Sequence, residues 1–545
     1  MSATPTSRPS DHVVERHGGL LKRTALVSGA TLASRILGFV REVLSAILFG
    51  AASPIFDAFL TAWRIPNLMR RFFGEGALST SLQTQLTDAD ASRGDRAGAE
   101  LFTATLRLTV WVLVGVCLVM AGTLEILRVP LVESGLIGEP EGARAAIDLT
   151  QRMLPFVLLI CLAALCAGGL QVRGHFLMPA LAPVAMNVVW ISALVAMIAL
   201  RGDEAPSDAR DLELTRWLAW VVLLSGFVQL AVQWPALKRV GLLAKPIFRP
   251  FAPLPAGALS VLRTAAPLAL GAAVYQINVM IDGLMAEGLL PDGGPTTHYY
   301  ANRIQQFPLA LIAIAATSSV FPKLKAFASV GRDGELRDLH DRAQIGVAFL
   351  ALPASAGLFV LAEPIAIALF RHGEFSMDGA VRMGGALAML SFALLPAGAV
   401  GLISRVYYAK GDFTTPVRVS IAMLVLNTAL NLAFVLGLGM DVDGLALATA
   451  LTSWGNALVL WPGLASKLGL PTTRVDLLPR LGRIAFASVA CGAAAWGVAQ
   501  ALDGSGAIWV TAAASVAGGA TYFLVAAGVG VGEARVVLKR LVRSR

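Results

Sequence analysis

Apolar runs of roughly twenty residues recur along this chain almost without pause, and that feature excludes most folds. Wound as a helix, a run of that length matches the hydrocarbon thickness of a bilayer. In oil every backbone N–H and C=O must find its partner inside the protein, so repeated runs of this kind mean an all-α integral membrane protein. Composition agrees. Of 545 residues, 56% are hydrophobic and only 14% charged, against about 25% charged in soluble domains. The runs predict about fourteen transmembrane helices, at 22–50, 55–87, 100–127, 147–171, 176–200, 214–236, 257–290, 296–326, 338–369, 380–408, 413–438, 442–466, 480–501 and 506–531.

The formal charge of +9 does not point to nucleic acid, because Lys and Arg near the span ends are about three- to fourfold in excess in alternate loops. Lys238, Arg239, Lys245 and Arg249 follow the sixth span, and Lys323, Lys325, Arg332 and Arg337 follow the eighth. Lys539, Arg540, Arg543 and Arg545 follow the last. Intervening loops instead carry Glu133, Glu139, Glu141, Asp203, Glu204, Asp208, Asp292, Asp441 and Asp443. The positive-inside rule then places both termini in the cytoplasm. Residues 1–19 read as a disordered tail on that side, and 536–545 as a basic one. Cys117, Cys161, Cys166 and Cys491 lie inside apolar runs at no metal-binding spacing, so they read as small buried hydrophobes.

The chain also repeats itself. Ala62–Trp63–Arg64–Ile65 returns as Ala301–Asn302–Arg303–Ile304, and at the same offset Ser79–Thr80 matches Ser318–Ser319. Arg173–Gly174–His175–Phe176 with Pro179 returns, at nearly that offset, as Lys410–Gly411–Asp412–Phe413 with Pro416. Six spans per repeat is an even number, so the halves share one orientation. Two parallel six-helix lobes, an N-lobe over 20–240 and a C-lobe over 250–468, are expected around a central cavity, as in transporters. Two further helices over 476–535 stand outside the repeat.

Against this apolar background the stretch 34–85 is unusual. Arg35, Arg41, Asp57, Arg64, Arg70, Arg71 and Glu75 all lie along its two spans. Charges at such depth face a wet cavity or a partner rather than lipid. A rise of about 1.5 Å per residue puts Arg35 roughly 18 Å beyond Arg23, near mid-membrane, with Arg41 about 9 Å farther out. The pattern fits an anion-binding cavity. A second polar group sits in the C-terminal half: Asp282 in the seventh span, Asn427 and Asn431 four residues apart in the eleventh, and Thr449 in the twelfth. One carboxylate with amide and hydroxyl oxygens suits a hard cation, Na⁺ above all; the plainer alternative is a hydrogen-bonded Asp–Asn pair.

The residues Ser34–Arg35–Ile36–Leu37–Gly38–Phe39 with Arg41, Phe49–Gly50–Ala51 with Asp57–Ala58–Phe59, and Pro66–Asn67–Leu68 with Arg70–Arg71 carry a resemblance. So do Glu75–Gly76–Ala77, Tyr299–Tyr300–Ala301 with Arg303, and Gly411–Asp412 with Thr415–Pro416. In these motifs, spread over spans one to twelve, the chain resembles the MurJ (MviN) family of lipid II flippases, within the multidrug/oligosaccharidyl-lipid/polysaccharide exporter superfamily. It departs at Asn302, where such proteins commonly carry an acid before the arginine.

The resemblance implies two six-helix lobes, a groove for a lipid tail formed by the two extra helices, and alternating access in a bacterial cytoplasmic membrane. The cargo it implies is lipid II, the undecaprenyl-pyrophosphate-linked disaccharide-pentapeptide precursor of peptidoglycan. Guanidinium groups suit a diphosphate because they stay charged and bind it bidentately. Arg35, Arg41, Arg70 and Arg303 are therefore the expected substrate ligands. Asp57 at the outer rim, pairing with Arg41 or Arg303 in one state, and Glu75, which also pairs at i, i+4 with Arg71, are the expected gate residues.

The expected protein is a monomer that needs no cofactor beyond a possible Na⁺, and it meets membrane lipids and other cell-wall synthesis proteins. Competing readings are a polysaccharide-lipid flippase or a drug/cation antiporter of the same superfamily, and an enzyme acting on polyprenyl phosphates. The antiporter would want acids where this chain has arginines. The enzyme would want a cluster of Asp, Glu or His at a membrane face, which the short loops do not offer.

Overall fold

The computed structural model describes residues 11–70, 77–200, 205–243, 256–317, 320–472 and 475–543. Among them are helices and no strand. The first expected span is α1 (Asp11–Phe49), and the described parts of the second are α2 (Pro54–Met69) and the first residues of α3 (Ala77–Arg93). After α4 (Asp95–Ile126) come the short α5 (Arg128–Glu133), then α6 (Pro140–Val172), α7 (Leu177–Leu200), α8 (Asp208–Ala231) and α9 (Trp234–Arg239). The second half runs α10 (Ala256–Leu289), α11 (Gly294–Thr317), α12 (Phe321–Ser329), α13 (Asp333–Phe370), α14 (Met377–Ser391) and α15 (Leu394–Ala409). It closes with α16 (Thr414–Leu432) and a π-turn over Ala433–Gly437, then α17 (Val442–Ser466), α18 (Leu477–Ala501), α19 (Ala507–Gly528) and α20 (Gly532–Arg543).

Nine helices among the described residues are long and apolar enough to cross a bilayer, or ten if the bent pair α14–α15 is one span. Residues 11–19, expected as part of a disordered tail, are helical: α1 contains no Pro, and Asp11 stands where a helix dipole favours an acid. The C-terminal basic stretch is likewise helical, as α20.

Burial is inverted relative to a soluble protein. Trp217, Trp220, Leu224 and Phe227 of α8 and Phe486, Val489 and Trp496 of α18 are exposed, whereas Asn187, Gln233, Asp282, Asn427 and Asn431 are buried. Exposed apolar side chains belong against lipid, and polar ones turn inward to find partners.

The chain forms two compact units that do not follow a linear division near residue 245. One comprises Met1–Leu48, Ala62–Val129 and Ala145–Ala273; the other comprises Phe49–Thr61, Pro130–Arg144 and Val274–Arg545. In the first, Leu78, Leu82 and Leu86 of α3 pack with Phe102 and Leu106 of α4, Leu165 and Leu170 of α6, and Leu237 of α9. In the second, Ile345 and Phe349 of α13 pack with Ile484 and Cys491 of α18 and Tyr522 of α19, whose hydroxyl donates to the Phe349 carbonyl at 2.7 Å. The two helices outside the repeat are thus seated on α13.

The α14–α15 bend of 41° has a covalent cause. Pro396 has no N–H to offer the Phe392 carbonyl one turn back, and its ring crowds that position. Carbonyls left without their helical donors in an apolar setting need others. Side chains supply or supplement them: Gln305 Nε2 to Leu390 at 2.8 Å, beside the Ala393 N–H at 3.0 Å, Ser355 Oγ to Ser391 at 2.8 Å, and Trp454 Nε1 to Phe392 at 3.1 Å. Helices α11, α13 and α17 are tied to the break in this way.

Candidate functional site

Three of the expected arginines belong to the first unit. Arg35 projects from α1 and is exposed. Arg41, nearly two turns on, is only 6% exposed. Its Nη2 meets Glu42 Oε1 at 2.6 Å, its Nη1 reaches Asn187 Oδ1 at 3.4 Å, and its guanidinium lies 4.4 Å from the centre of the Trp190 ring. Asn187 also donates through Nδ2 to the Ser34 carbonyl at 3.0 Å. One amide of α7 therefore fixes α1 on both sides of Arg35. A buried guanidinium needs this much compensation: a counter-charge, an oxygen and a π face. Glu42, Asn187 and Trp190 are not among the residues singled out above. The available signal was a polar Asn one turn before a Trp in an otherwise apolar run.

Arg70 is half-buried at the end of α2, where Nε and Nη2 both donate to Asn67 Oδ1, at 3.2 and 2.9 Å. Arg71 and Glu75 lie outside the described residues. Arg303 is half-buried on α11 in the second unit. Its neighbour Asn302 turns back on its own helix, donating to the His298 carbonyl at 3.0 Å.

Asp57 belongs to the second unit and is 3% exposed. It takes up the start of α11: Gly293 N–H to Oδ2 at 2.7 Å, and Thr296 N–H and Oγ1 to Oδ1 at 2.9 and 2.5 Å. Its partners are thus neutral donors at a helix N-terminus rather than a guanidinium, and such a terminus favours an anion. One turn along α2, Thr61 Oγ1 donates to Glu287 Oε2 of α10 at 2.7 Å. The fit depends on glycine. Gly293 has φ +79°, and a Cβ there would overlap the Ala51 carbonyl oxygen. A Cβ on Gly379 would overlap the Ala51 side chain. Beside this contact lies a cavity of about 580 Å³ lined by Asp57, Glu133, Glu139, Glu287 and Asp292.

The polar group of the second half converges as its spacing suggested. Asn431 Nδ2 donates to Asp282 Oδ1 at 2.8 Å and lies 3.3 Å from Asn427 Oδ1, while Thr449 Oγ1 is 3.5 Å from Asp282 Oδ2. Two residues not singled out join them: Asn278 Nδ2, at 3.1 Å from Asp282 Oδ2, and Thr452 Oγ1, at 3.5 Å from Asn427 Nδ2. Asn431 is fully buried, and its Oδ1 has no hydrogen-bond partner. An orphaned buried oxygen beside a carboxylate and a hydroxyl is the donor set a small hard cation would complete.

A third feature is an apolar groove of about 390 Å³ bounded by α13, α18 and α19, with Leu350, Leu358, Ala495, Gly518 and Phe523 among its walls. Gly518 lets α19 lie close to Cys491 and Ala495 of α18.

Residues 45–507 match the family described as lipid II flippase MurJ. The chain belongs to that family. A probable lipid II flippase MurJ of Rhizobium meliloti (strain 1021) is 30% identical over 543 residues, covering 96% of both chains. The lipid II flippase MurJ of Burkholderia cenocepacia is 32% identical over 452 residues, covering 82% of this chain and 84% of the relative. Among solved structures, a lipid II flippase MurJ in an inward closed conformation aligns with a TM-score of 0.70 at 22% identity, over 92% of this chain and 98% of that one. An inward-facing multidrug resistance MATE family transporter of the MOP superfamily aligns at 0.60 and 16% identity, over 82% and 99%. Both structures share the fold of this chain. Membership makes the protein a multi-pass membrane transporter rather than an enzyme.

Proposed function

We propose that this chain is a lipid II flippase, moving the undecaprenyl-pyrophosphate-linked disaccharide-pentapeptide from the inner to the outer leaflet of the cytoplasmic membrane by alternating access. The observation that carries the reading is the family match over residues 45–507. The drug/cation antiporter reading has only the shared fold behind it, and four arginines on the spans oppose a cationic cargo.

In this mechanism Arg35, exposed on α1, makes first contact with the diphosphate. Arg70 and Arg303, half-buried, follow it along the path. Arg41 reaches the headgroup by exchanging Glu42 for phosphate, a swap of one anionic partner for another that leaves the buried charge compensated throughout. Asp57 acts as the outer latch: releasing the start of α11 frees residues 49–61, and re-forming three hydrogen bonds closes the exit. Glu75 would complete the gate. The groove between α13, α18 and α19 holds the polyprenyl tail, keeping it in an apolar setting while the headgroup crosses. Asp282, Asn427, Asn431 and Thr449 would hold Na⁺, whose charge would couple the cycle to the membrane potential, at about 2.3 kcal/mol per charge per 100 mV. Fourteen spans with both termini in the cytoplasm complete the topology.

The test is reconstitution into sealed vesicles with labelled lipid II, following leaflet exchange for the parent protein and for Arg35→Ala. Exchange by the parent that is lost in the variant is expected. Equal exchange by both would remove the arginine path. No exchange by the parent, with or without an imposed potential, would remove the flippase reading.

A further inference from the structure

The turn before α11 is gripped from two sides. Gly293 gives its N–H to Asp57, and the carbonyl of Asp292, the other half of the same peptide unit, accepts from Arg382 Nη1 at 3.0 Å. In a trans peptide the oxygen and the hydrogen point in opposite directions, so the two side chains hold one rigid plane by its two ends. The Arg382 contact is charge-assisted, and a peptide bonded at both ends is polarised at each by the other.

Arg382 is itself held. From α14 it forks onto Asp441, just before α17, with Nε to Oδ2 at 2.6 Å and Nη2 to Oδ1 at 2.9 Å. Its planar group therefore joins three elements of the second unit: α14, the turn into α17 and the turn into α11. An ordinary exposed ion pair contributes little. This one differs in being bidentate, only one-fifth exposed on the arginine side, and extended by a third contact to the peptide that Asp57 uses.

We propose that Arg382 is the positioning residue of the outer latch. By holding the Asp292–Gly293 peptide it presents the Gly293 N–H to Asp57, and so it sets how firmly residues 49–61 stay docked on the start of α11. The proposal rests on the reading of Asp57 as a latch in the transport cycle. It assigns Asp441 the part of anchor. It also makes lysine an incomplete substitute, since an ammonium lacks the planar fork that serves Asp441 and Asp292 together.

The test uses full-length protein with Cys117, Cys161, Cys166 and Cys491 replaced by Ser and Ala58→Cys as reporter, a position on α2 that is 0% exposed. A membrane-impermeant maleimide is added from the outer side and the labelling rate measured. Arg382→Ala and Asp441→Asn should each raise the rate about tenfold, the factor expected for one lost charge-assisted hydrogen bond. Arg382→Lys should fall between, and Arg371→Ala, an exposed arginine after α13, should match the parent. Parent rates in Arg382→Ala overturn the proposal. Should that variant fail to accumulate, parent rates in both Asp441→Asn and Arg382→Lys overturn it equally.

Lipid II exchange is measured on the same preparations. A labelling response without exchange in the parent would remove the flippase reading and leave the latch. Exchange in the parent with no labelling response in the variants would remove the latch alone.

Discussion

Arg41 and Asp282 are both ionisable, both buried and both on helices that are otherwise apolar, yet their surroundings are built differently. Arg41 has a full counter-charge in Glu42, an amide oxygen from Asn187 and the face of Trp190. The partners described for Asp282 are neutral, the amides of Asn278 and Asn431 and the hydroxyl of Thr449, and an unsatisfied oxygen of Asn431 stands beside it. The difference follows from chemistry. A guanidinium cannot shed its proton, so its compensation must be permanent. A carboxylate among neutral dipoles keeps room for a mobile cation. On the function proposed above, the first site exchanges one anion for another and the second gains or loses a positive charge.

The largest expected effect breaks the first half of that contrast. Arg41→Ala should lower lipid II exchange about a hundredfold, the scale on which loss of one buried electrostatic partner acts, and should leave Glu42 without its counter-charge. A double variant with Glu42→Gln should recover protein yield but not exchange. Recovery of exchange would show that Arg41 serves only Glu42.

The second half is sharpened by replacing Na⁺ with a large organic cation. The parent should slow about tenfold, on the scale of one coupling free energy, whereas Asp282→Asn should be slow and indifferent to the ion. Equal rates for the parent in both media would leave Asp282 as a hydrogen-bonded structural acid.

A smaller effect is expected at the α14–α15 bend. Trp454→Phe removes the donor to the Phe392 carbonyl, costing about 1 kcal/mol for one hydrogen bond, read as a lower melting temperature in detergent. If Trp454→Phe melts with the parent, another group serves that carbonyl.

The smallest effect comes from an acid in the aqueous loop before α16. Partial burial works to raise the Asp412 carboxyl, but donors from Thr415, Thr414 and Lys467 outweigh it and hold it well below the usual carboxylate range. A depressed folded-state value means stability that is present above the unfolded value, about 3.9, and is lost as pH falls further. Asp412→Ala should therefore lower the melting temperature slightly at neutral pH and by less near pH 2, where part of the contribution has been lost. An equal shift at both would assign the effect to the backbone turn rather than to charge.

Much of this protein was legible before any coordinates. Hydropathy over about twenty residues, the alternation of basic and acidic loops and the recurrence of Arg64 at Arg303 are properties of the linear chain, and a bilayer permits few answers to them. The Asp282 group was legible too, because polar residues four apart on one apolar helix must share a face and seek partners. Nothing linear marked the rest. Glu42 is an adjacent residue whose importance appears only once Arg41 is seen to be buried. That residues 49–61 cluster with the second unit, that one peptide is held by Asp57 and Arg382, and that Trp454 serves the carbonyl Pro396 leaves without a donor are outcomes of packing. Oil dictates where a helix starts and stops from its own composition. Which faces meet is settled by shape and by the search of each buried polar group for a partner, often more than a hundred positions away, and no local pattern records it.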